Sequence, residues 1–204
     1  MAKHAPMAAV LAAALVAGCT TVRTTEPPRT ATEQLLISTA VDRAMDGRIN
    51  LGPLSGRRVF VDAAHFEGVD KAYAIGALGA ELSGQRARLV AERGASEVVA
   101  AIRAGALSVD RLEVLVGLPS LSLPTPFGGD VETPEIALLK RSTQWGTAKL
   151  ALNAYETQSG EPVLREGPVT GKSYYTVWTF LGLPLRFTNI PEKKPRRWWW
   201  PFGA

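Results

Sequence analysis

The strongest constraint on the fold is an alternation of apolar and polar residues late in the chain. Apolar residues recur two positions apart: Ala148, Leu150, Leu152 and Ala154 alternate with Lys149, Asn153 and Tyr155. A turn-forming stretch follows at residues 158–161, and residues 163–165 are β-rich again. Because successive side chains of a strand point to opposite faces, residues 147–166 are predicted to form a β-hairpin.

Two helices are predicted in the first half of the chain. The first begins at Thr30 and ends at Gly47, where a left-handed residue is favoured. The second covers residues 70–82 and is rich in Ala and Gly, and we expect Gly76 and Gly79 to let it pack closely on a sheet. The first helix has a single apolar stripe, formed by Leu36, Ile37, Ala40, Val41 and Ala44.

Strands are predicted at five further places: residues 58–62, 88–90, 97–104, 111–116 and 174–180. Residues 97–104 also fit a helix, and we prefer a strand because Val and Ile dominate the bulk of this segment. A short helix is predicted over residues 135–142. The order of elements predicts an α/β (α+β) fold, in which helices pack on a small mixed β-sheet that includes a late β-hairpin.

The start of the chain reads as a targeting segment. Lys3 precedes an apolar run from Met7 to Val16. A run of about ten residues is too short for a membrane-spanning helix but suits a signal peptide. The stretch Leu15 to Cys19 resembles the lipobox of bacterial lipoprotein signals. That resemblance implies cleavage before Cys19, lipid on its thiol and, since Thr20 is not Asp, an outer-membrane location facing the periplasm.

Four regions are therefore expected. These are a signal peptide (1–18), a Thr/Pro tether (19–29), a single α/β domain (30–190) and a basic, Trp-rich tail (191–204).

The net charge of +4 does not indicate a nucleic-acid binder. Lys3 leaves with the signal peptide and the tail carries +3, so the body between them is formally neutral. Cys19 is the only cysteine, so no internal disulfide is expected.

Three segments carry a resemblance to known families. Residues 31–38 behind the lipobox, the Gly117–Ser120 stretch and the hairpin end Thr157–Gly160 resemble a family of uncharacterised proteobacterial lipoproteins. More distantly, the layout is similar to the curli-secretion lipoprotein and to the outer-membrane activators of penicillin-binding proteins. Those resemblances imply a small α/β sandwich, and neither implies a catalytic motif.

One cluster of residues has the composition of a chemical site. Asp62, His65 and Glu67 follow the predicted strand 58–62, and together they can bind a metal or move a proton. We favour the alternative that they form a polar loop in which Asp62 hydrogen-bonds nearby backbone. No nucleophile elbow or zinc-protease motif is present in the sequence, and no cofactor is predicted.

Two segments are candidate binding surfaces. The first is the Pro- and Gly-rich loop 117–134, which carries four large apolar side chains, Leu118, Leu121, Leu123 and Phe127. The alternative is that these side chains cover the domain's own core. The second is the tail, with Lys193, Lys194, Arg196 and Arg197 beside Trp198, Trp199 and Trp200. Indole rings and cations suit a membrane interface, and the alternative is that the tryptophans fold back onto the domain.

These features predict a membrane-anchored periplasmic lipoprotein that is not an enzyme. We expect it to contact membrane lipid through Cys19 and to bind a protein partner of the envelope. A subunit of a secretion-type outer-membrane assembly is the alternative, and a hydrolase or metal-binding protein using Asp62, His65 and Glu67 is a further one.

Overall fold

The computed structural model describes residues 29–124 and 129–191. Contacts divide the chain into a unit that ends at Thr30 and a unit that begins at Ala31, and the fold below is that of the second unit. Its helices are α1 (Ala31–Met45) and α2 (Lys71–Gly84), with single 3-10 turns at Gly52–Leu54 and Arg93–Ala95. Its strands are β1 (Arg58–Asp62), β2 (Arg88–Leu89), β3 (Val98–Leu118), β4 (Ser122–Pro124), β5 (Asp130–Glu132), β6 (Ile136–Glu156), β7 (Pro162–Phe180) and β8 (Leu183–Thr188).

Six of the strands form one mixed sheet with the order β2-β1-β3-β6-β7-β8. Strand β1 runs parallel to β2 and β3, and the remaining neighbours are antiparallel. Strands β4 and β5 pair only with each other. The predicted mixed sheet with helices is confirmed, but the protein is richer in strand than expected, because about half of the described residues lie in strands.

The predicted hairpin is present and extends well past its predicted ends. Strands β6 and β7 pair from Tyr155↔Pro162 at the turn to Leu139↔Phe180 at the far end. The predicted strands 97–104 and 111–116 are one continuous strand, β3, and the predicted strand 174–180 is the far end of β7. Long-range pairing thus joins segments that local sequence patterns separate.

The predicted helix over residues 135–142 is wrong. This segment is the first part of β6, where it pairs with β3 on one side and, from Leu139, with β7 on the other. A bulge between Val116 and Gly117 shifts the register opposite it. Local helix propensity is a weak preference, and the hydrogen bonds to two neighbouring strands override it here.

Helix α1 lies directly on β6 and β7 because two glycines remove the side chains that would block it. A Cβ atom at Gly171 would overlap the carbonyl oxygen of Ala40, and one at Gly146 would lie 2.5 Å from the carbonyl oxygen of Leu36. Ser173 Oγ then donates a hydrogen bond of 2.6 Å to that same Leu36 oxygen. The sheet therefore accepts the helix at van der Waals distance, and only glycine fits at residues 146 and 171 without a shift of the backbone.

The close approach was expected from Gly76 and Gly79 of α2, and that prediction is wrong. A Cβ atom at Gly76 would meet nothing within 4 Å, and one at Gly79 would make an ordinary contact of 3.4 Å with Leu89 Cδ1. Helix α2 packs through its larger apolar side chains instead. The buried core that it completes includes Leu36, Val41, Leu54, Val59, Phe66, Leu78, Leu82, Val98, Ile102, Leu150 and Leu152.

Candidate interaction surface

The long strands continue beyond the part of the sheet that packs against the helices. The last β3 residue packed against the core is Val109, and α1 approaches the sheet at Gly146 of β6 and Ser173 of β7. We call the region beyond these positions the projecting sheet. It comprises residues 110–118 of β3, 136–145 of β6, 174–180 of β7 and all of β8.

The projecting sheet has an apolar face and a largely polar one. The register places Leu112 opposite Thr143, and Thr143 opposite Thr176, so alternate residues of neighbouring strands share a face. The outer face, opposite the helices, carries Leu112, Val114, Val116, Leu139, Trp145, Tyr174, Trp178, Phe180, Leu183, Leu185 and Phe187. The helix side carries Arg111, Glu113, Lys140, Ser142, Gln144, Thr179, Arg186 and Thr188, with Leu115, Tyr175 and Val177 among them.

Apolar exposure in this protein is concentrated on the projecting sheet and at its tip. Among the described residues, all the exposed large hydrophobic side chains lie there except Leu35, Val69, Tyr73 and Leu89. Leu183 of the outer face is 71% exposed. A contiguous apolar area of this kind, bordered by polar side chains, is typical of an interaction site.

A polar cluster lies within the outer face. The Arg141 guanidinium is 5.1 Å from the ring centroid of Trp178, and its Nε donates to Thr143 Oγ1 at 3.2 Å. Thr176 Oγ1 also donates to Thr143 Oγ1 at 3.2 Å, and both threonines are buried. Stacking on the indole holds the cation in place. The outer face therefore presents one fixed positive group that can bind a carboxylate or carbonyl oxygen of a partner.

The helix side of the projecting sheet is stabilised by polar contacts. Lys140 Nζ donates to both carboxylate oxygens of Glu135, at 3.0 and 3.1 Å. This hydrogen bond raises the pKa of Lys140 above its ordinary value. Ser142 Oγ donates to Glu113 at 3.3 Å across to the neighbouring strand. Charged groups that form such hydrogen bonds and ion pairs are typical of a surface in contact with water, whereas the outer face carries mainly apolar side chains.

Within residues 29–124 and 129–191, no further strand pairs with either edge of the projecting sheet. Strand β1 covers β3 only at residues 98–101, so from Ile102 to Leu118 that edge of β3 has no strand partner among the described residues. On the other side the sheet ends at β8. Unpaired edge N–H and C=O groups can pair with another strand, and Pro184 removes one donor from the β8 edge.

The predicted loop 117–134 lies at the tip of this sheet. It contains the short ribbon of β4 and β5, and Leu118, Leu121 and Leu123 are 65%, 56% and 50% exposed. The alternative in which these leucines cover the domain's own core is therefore wrong for the three. Phe127 lies outside the described residues. The exposed leucines extend the apolar surface of the projecting sheet to its tip.

Sequence reasoning placed the candidate surface in this loop and missed the outer face. A signal was present in the alternation of two segments that were assigned no binding role. Apolar residues two positions apart occur in both: Leu112, Val114 and Val116 in β3, and Leu183, Leu185 and Phe187 in β8. Only the register shows that these two runs share one face.

Asp62, His65 and Glu67 occupy the loop after β1. Asp62 Oδ1 accepts a hydrogen bond of 2.9 Å from the backbone N–H of Ala64, the backbone role that the sequence favoured for it. His65 and Glu67 are exposed, and Phe66 between them is buried in the core. Over residues 29–124 and 129–191, no group of three His, Cys, Asp or Glu side chains is arranged to hold a metal ion.

Cys19 and the cations and tryptophans of the tail (Lys193, Lys194, Arg196, Arg197, Trp198, Trp199 and Trp200) lie outside the described residues. Within the described part of the chain, none of the helices has the length and apolar character needed to cross a membrane.

The fold and this surface define a mixed α/β protein with an amphipathic sheet that projects from its helix-covered body. The chain belongs to a family of unknown function, DUF6655, whose sequence profile matches residues 13–190. A comparison with curated proteins found no match.

Proposed function

We propose that this chain is a lipid-anchored protein of the bacterial envelope that binds a protein partner through the outer face of its projecting sheet. In this proposal it acts without catalysis. The observation that carries it is the concentration of exposed apolar side chains on one face of four neighbouring strands. Water contact with so many apolar groups is unfavourable at about 25 cal/mol per Å². A partner that covers the outer face removes that cost.

The anchor is proposed from the sequence of the first nineteen residues. Lipid on Cys19 holds the protein on the membrane, with the outer membrane favoured and the domain facing the periplasm. The Thr- and Pro-rich residues 20–29 then act as a tether, which gives the domain a reach of roughly 30 Å at about 3.1 Å per residue. A tethered domain with an apolar docking face suits a role in envelope assembly.

A subunit of a secretion-type outer-membrane assembly is a second candidate, favoured by the two open edges of the projecting sheet. An exposed edge at β3 and another at β8 allow copies to join head to tail, each adding its strands to the next. Head-to-tail contacts of one kind produce closed rings when the rotation between copies permits. This candidate makes two separate predictions. One is a partner protein that covers the outer face, and the other is a second copy of the chain that pairs with the strand edges.

Matched variants on one strand test the proposed docking face. Val114→Glu places a charge on the outer face, and Arg111→Glu places the same residue on the helix side of β3, where Arg111 is exposed. We expect Val114→Glu to abolish recovery of a reproducible stoichiometric partner from detergent-solubilised membranes, with Arg111→Glu retaining it. Equal recovery with both variants would remove the outer face as the docking site.

The anchor is tested by Cys19→Ser. We expect the wild-type chain to incorporate labelled palmitate and to fractionate with membranes, and the variant to lose both. Labelled lipid on the Cys19→Ser variant would rule out this anchor while leaving the docking proposal intact.

For the second candidate, a subunit of a secretion-type assembly, sedimentation in detergent should show a discrete ring-sized species, and a monomer would exclude it.

A further inference from the structure

The last described residues leave the domain at a fixed place beside the two helices. Asn189 is held by three contacts: its backbone oxygen accepts from Arg43 Nη2 at 2.7 Å, its Oδ1 accepts from the Tyr174 N–H at 2.7 Å, and its own N–H donates to Tyr174 at 3.2 Å. Ile190 is buried next to it, and Pro191 is exposed. The chain therefore reaches Pro191 in a defined position.

Pro191 forms part of the wall of an open groove between α1 and α2, with a volume of about 760 Å³. Small and apolar residues form much of its surface, among them Met45 and, on α2, Ala72, Gly76, Ala77 and Ala80. Gly76 is exposed there, and its missing side chain is not needed for packing within the domain, since a Cβ would meet nothing. The result is an apolar shelf of small residues with open space above Gly76, where an aromatic ring can pack.

Acidic side chains border this shelf. Asp42, Asp46 and Glu81 line the groove, and none of the three forms an ion pair with the described residues. Asp42 Oδ1 accepts a hydrogen bond of 2.8 Å from Tyr73 OH. Burial and this contact raise the pKa of Tyr73. Among the described residues of the wall, Arg43 is the one with a basic side chain, and its guanidinium already donates to the carbonyl oxygens of Lys172 and Asn189.

We propose that residues 192–204 fold back and bind in this groove. The segment starts beside it, because Pro191 is itself a wall residue. Four cations against Glu192 give the segment a charge of +3, opposite to that of the three groove carboxylates. Lys193 and Lys194 follow within about 10 Å of Pro191 at roughly 3.3 Å per residue, close enough to reach the carboxylates. Trp198 to Trp200 then lie on the Ala and Gly shelf. Direct linkage gives the segment an effective concentration in the millimolar range.

Disulfide formation between engineered cysteines tests this proposal in the full-length chain with Cys19→Ser, which removes the only natural thiol. Gly76→Cys is paired in turn with Trp198→Cys, Trp199→Cys and Trp200→Cys. The matched control replaces Gly76→Cys by Ser83→Cys, an exposed position on the same helix outside the groove. Only cysteines whose Cα atoms come within about 7 Å can form the bond.

We expect at least one groove pair to form its intramolecular disulfide about fivefold or more faster than the same tail cysteine with Ser83→Cys. Asp46→Lys with Glu81→Lys should remove this difference, as should high salt, because screening weakens exposed ion pairs. Equal rates at both helix positions would overturn the proposal, as would a groove rate unaffected by charge reversal or a disulfide found only between two chains. Anionic vesicles of phosphatidylglycerol are added in a second arm. If they bind the tail while the groove pair never forms, lipid is the occupant and the groove proposal fails.

Discussion

Single residues decide how close helix and sheet come in this protein. Gly146 and Gly171 leave room for α1, and Ser173 supplies a short hydrogen bond to the helix backbone. Arg141 is a cation on a mainly apolar face, where Trp178 and Thr143 hold it. Small or fixed side chains at these few positions thus determine both the packing of the body and the character of the outer face.

Gly171→Ala should strongly destabilise the fold. The added methyl group overlaps the carbonyl oxygen of Ala40, so α1 must shift away from the sheet. We expect the free energy of unfolding to fall by about 2–3 kcal/mol, measured by urea denaturation. Gly76→Ala is the control, because its methyl group meets none of the described residues and the helix gains up to about 1 kcal/mol. A stability loss of the same size in both variants would contradict the packing described for α1.

Acid should weaken the end of the sheet near β1. The backbone N–H of Arg58 lowers the pKa of Glu97, and the hydrogen bond from Arg57 lowers the pKa of Glu156. Because both folded-state pKa values are depressed, this stabilisation is fully present above the unfolded-state pKa of about 4.3 and is lost as pH falls through the folded values. We expect the urea midpoint to drop as the pH falls from about 5 to about 2. The double variant Glu97→Gln and Glu156→Gln should drop less over that interval, and an equal drop would show that these carboxylates are not responsible.

At the scale of elements, local patterns predicted short pieces and the structure joins them into long strands. The alternation at residues 148–154 was sufficient to predict the hairpin. It reflects a strand with one face in the core, since each apolar side chain in this stretch is buried. The helix predicted over residues 135–142 is wrong because the strands that pair with residues 136–142 lie far away in sequence, at residues 113–118 and 177–180. The outer face escaped sequence reasoning for the same reason. It is formed by four strands, and the register that aligns them depends on pairing between residues far apart in sequence.

The open β8 edge leads to a prediction about association. Pro184 lacks an N–H, so it interrupts the row of donors that an added strand would pair with. Pro184→Thr restores the donor, and we expect it to increase self-association in detergent, measured as a shift in sedimentation toward larger species. Thr179→Val, on the neighbouring β7 strand, serves as the control because it leaves the edge unchanged. A Pro184→Thr protein that sediments like the wild type would argue against pairing through this edge.

The whole molecule combines a helix-covered body with a sheet that extends beyond it. In the body, α1 and α2 bury one face of the sheet. In the projecting sheet the strands keep their pairing, but the apolar face turns to the side away from the helices. The domain thus has a core of its own and a second apolar surface that this core does not bury. In the proposed function, a lipid anchor ahead of the domain makes this surface available to a partner at the membrane.

Site-specific photo-cross-linking in living cells tests the docking surface most directly. A photoreactive amino acid replaces Val114 on the outer face in one strain, and Arg111 on the helix side of the same strand in another. We expect a discrete cross-linked protein at position 114 and none, or far less, at position 111. Cross-links of equal yield at both positions, or none at position 114, would contradict the central claim that the outer face is where this protein binds its partner.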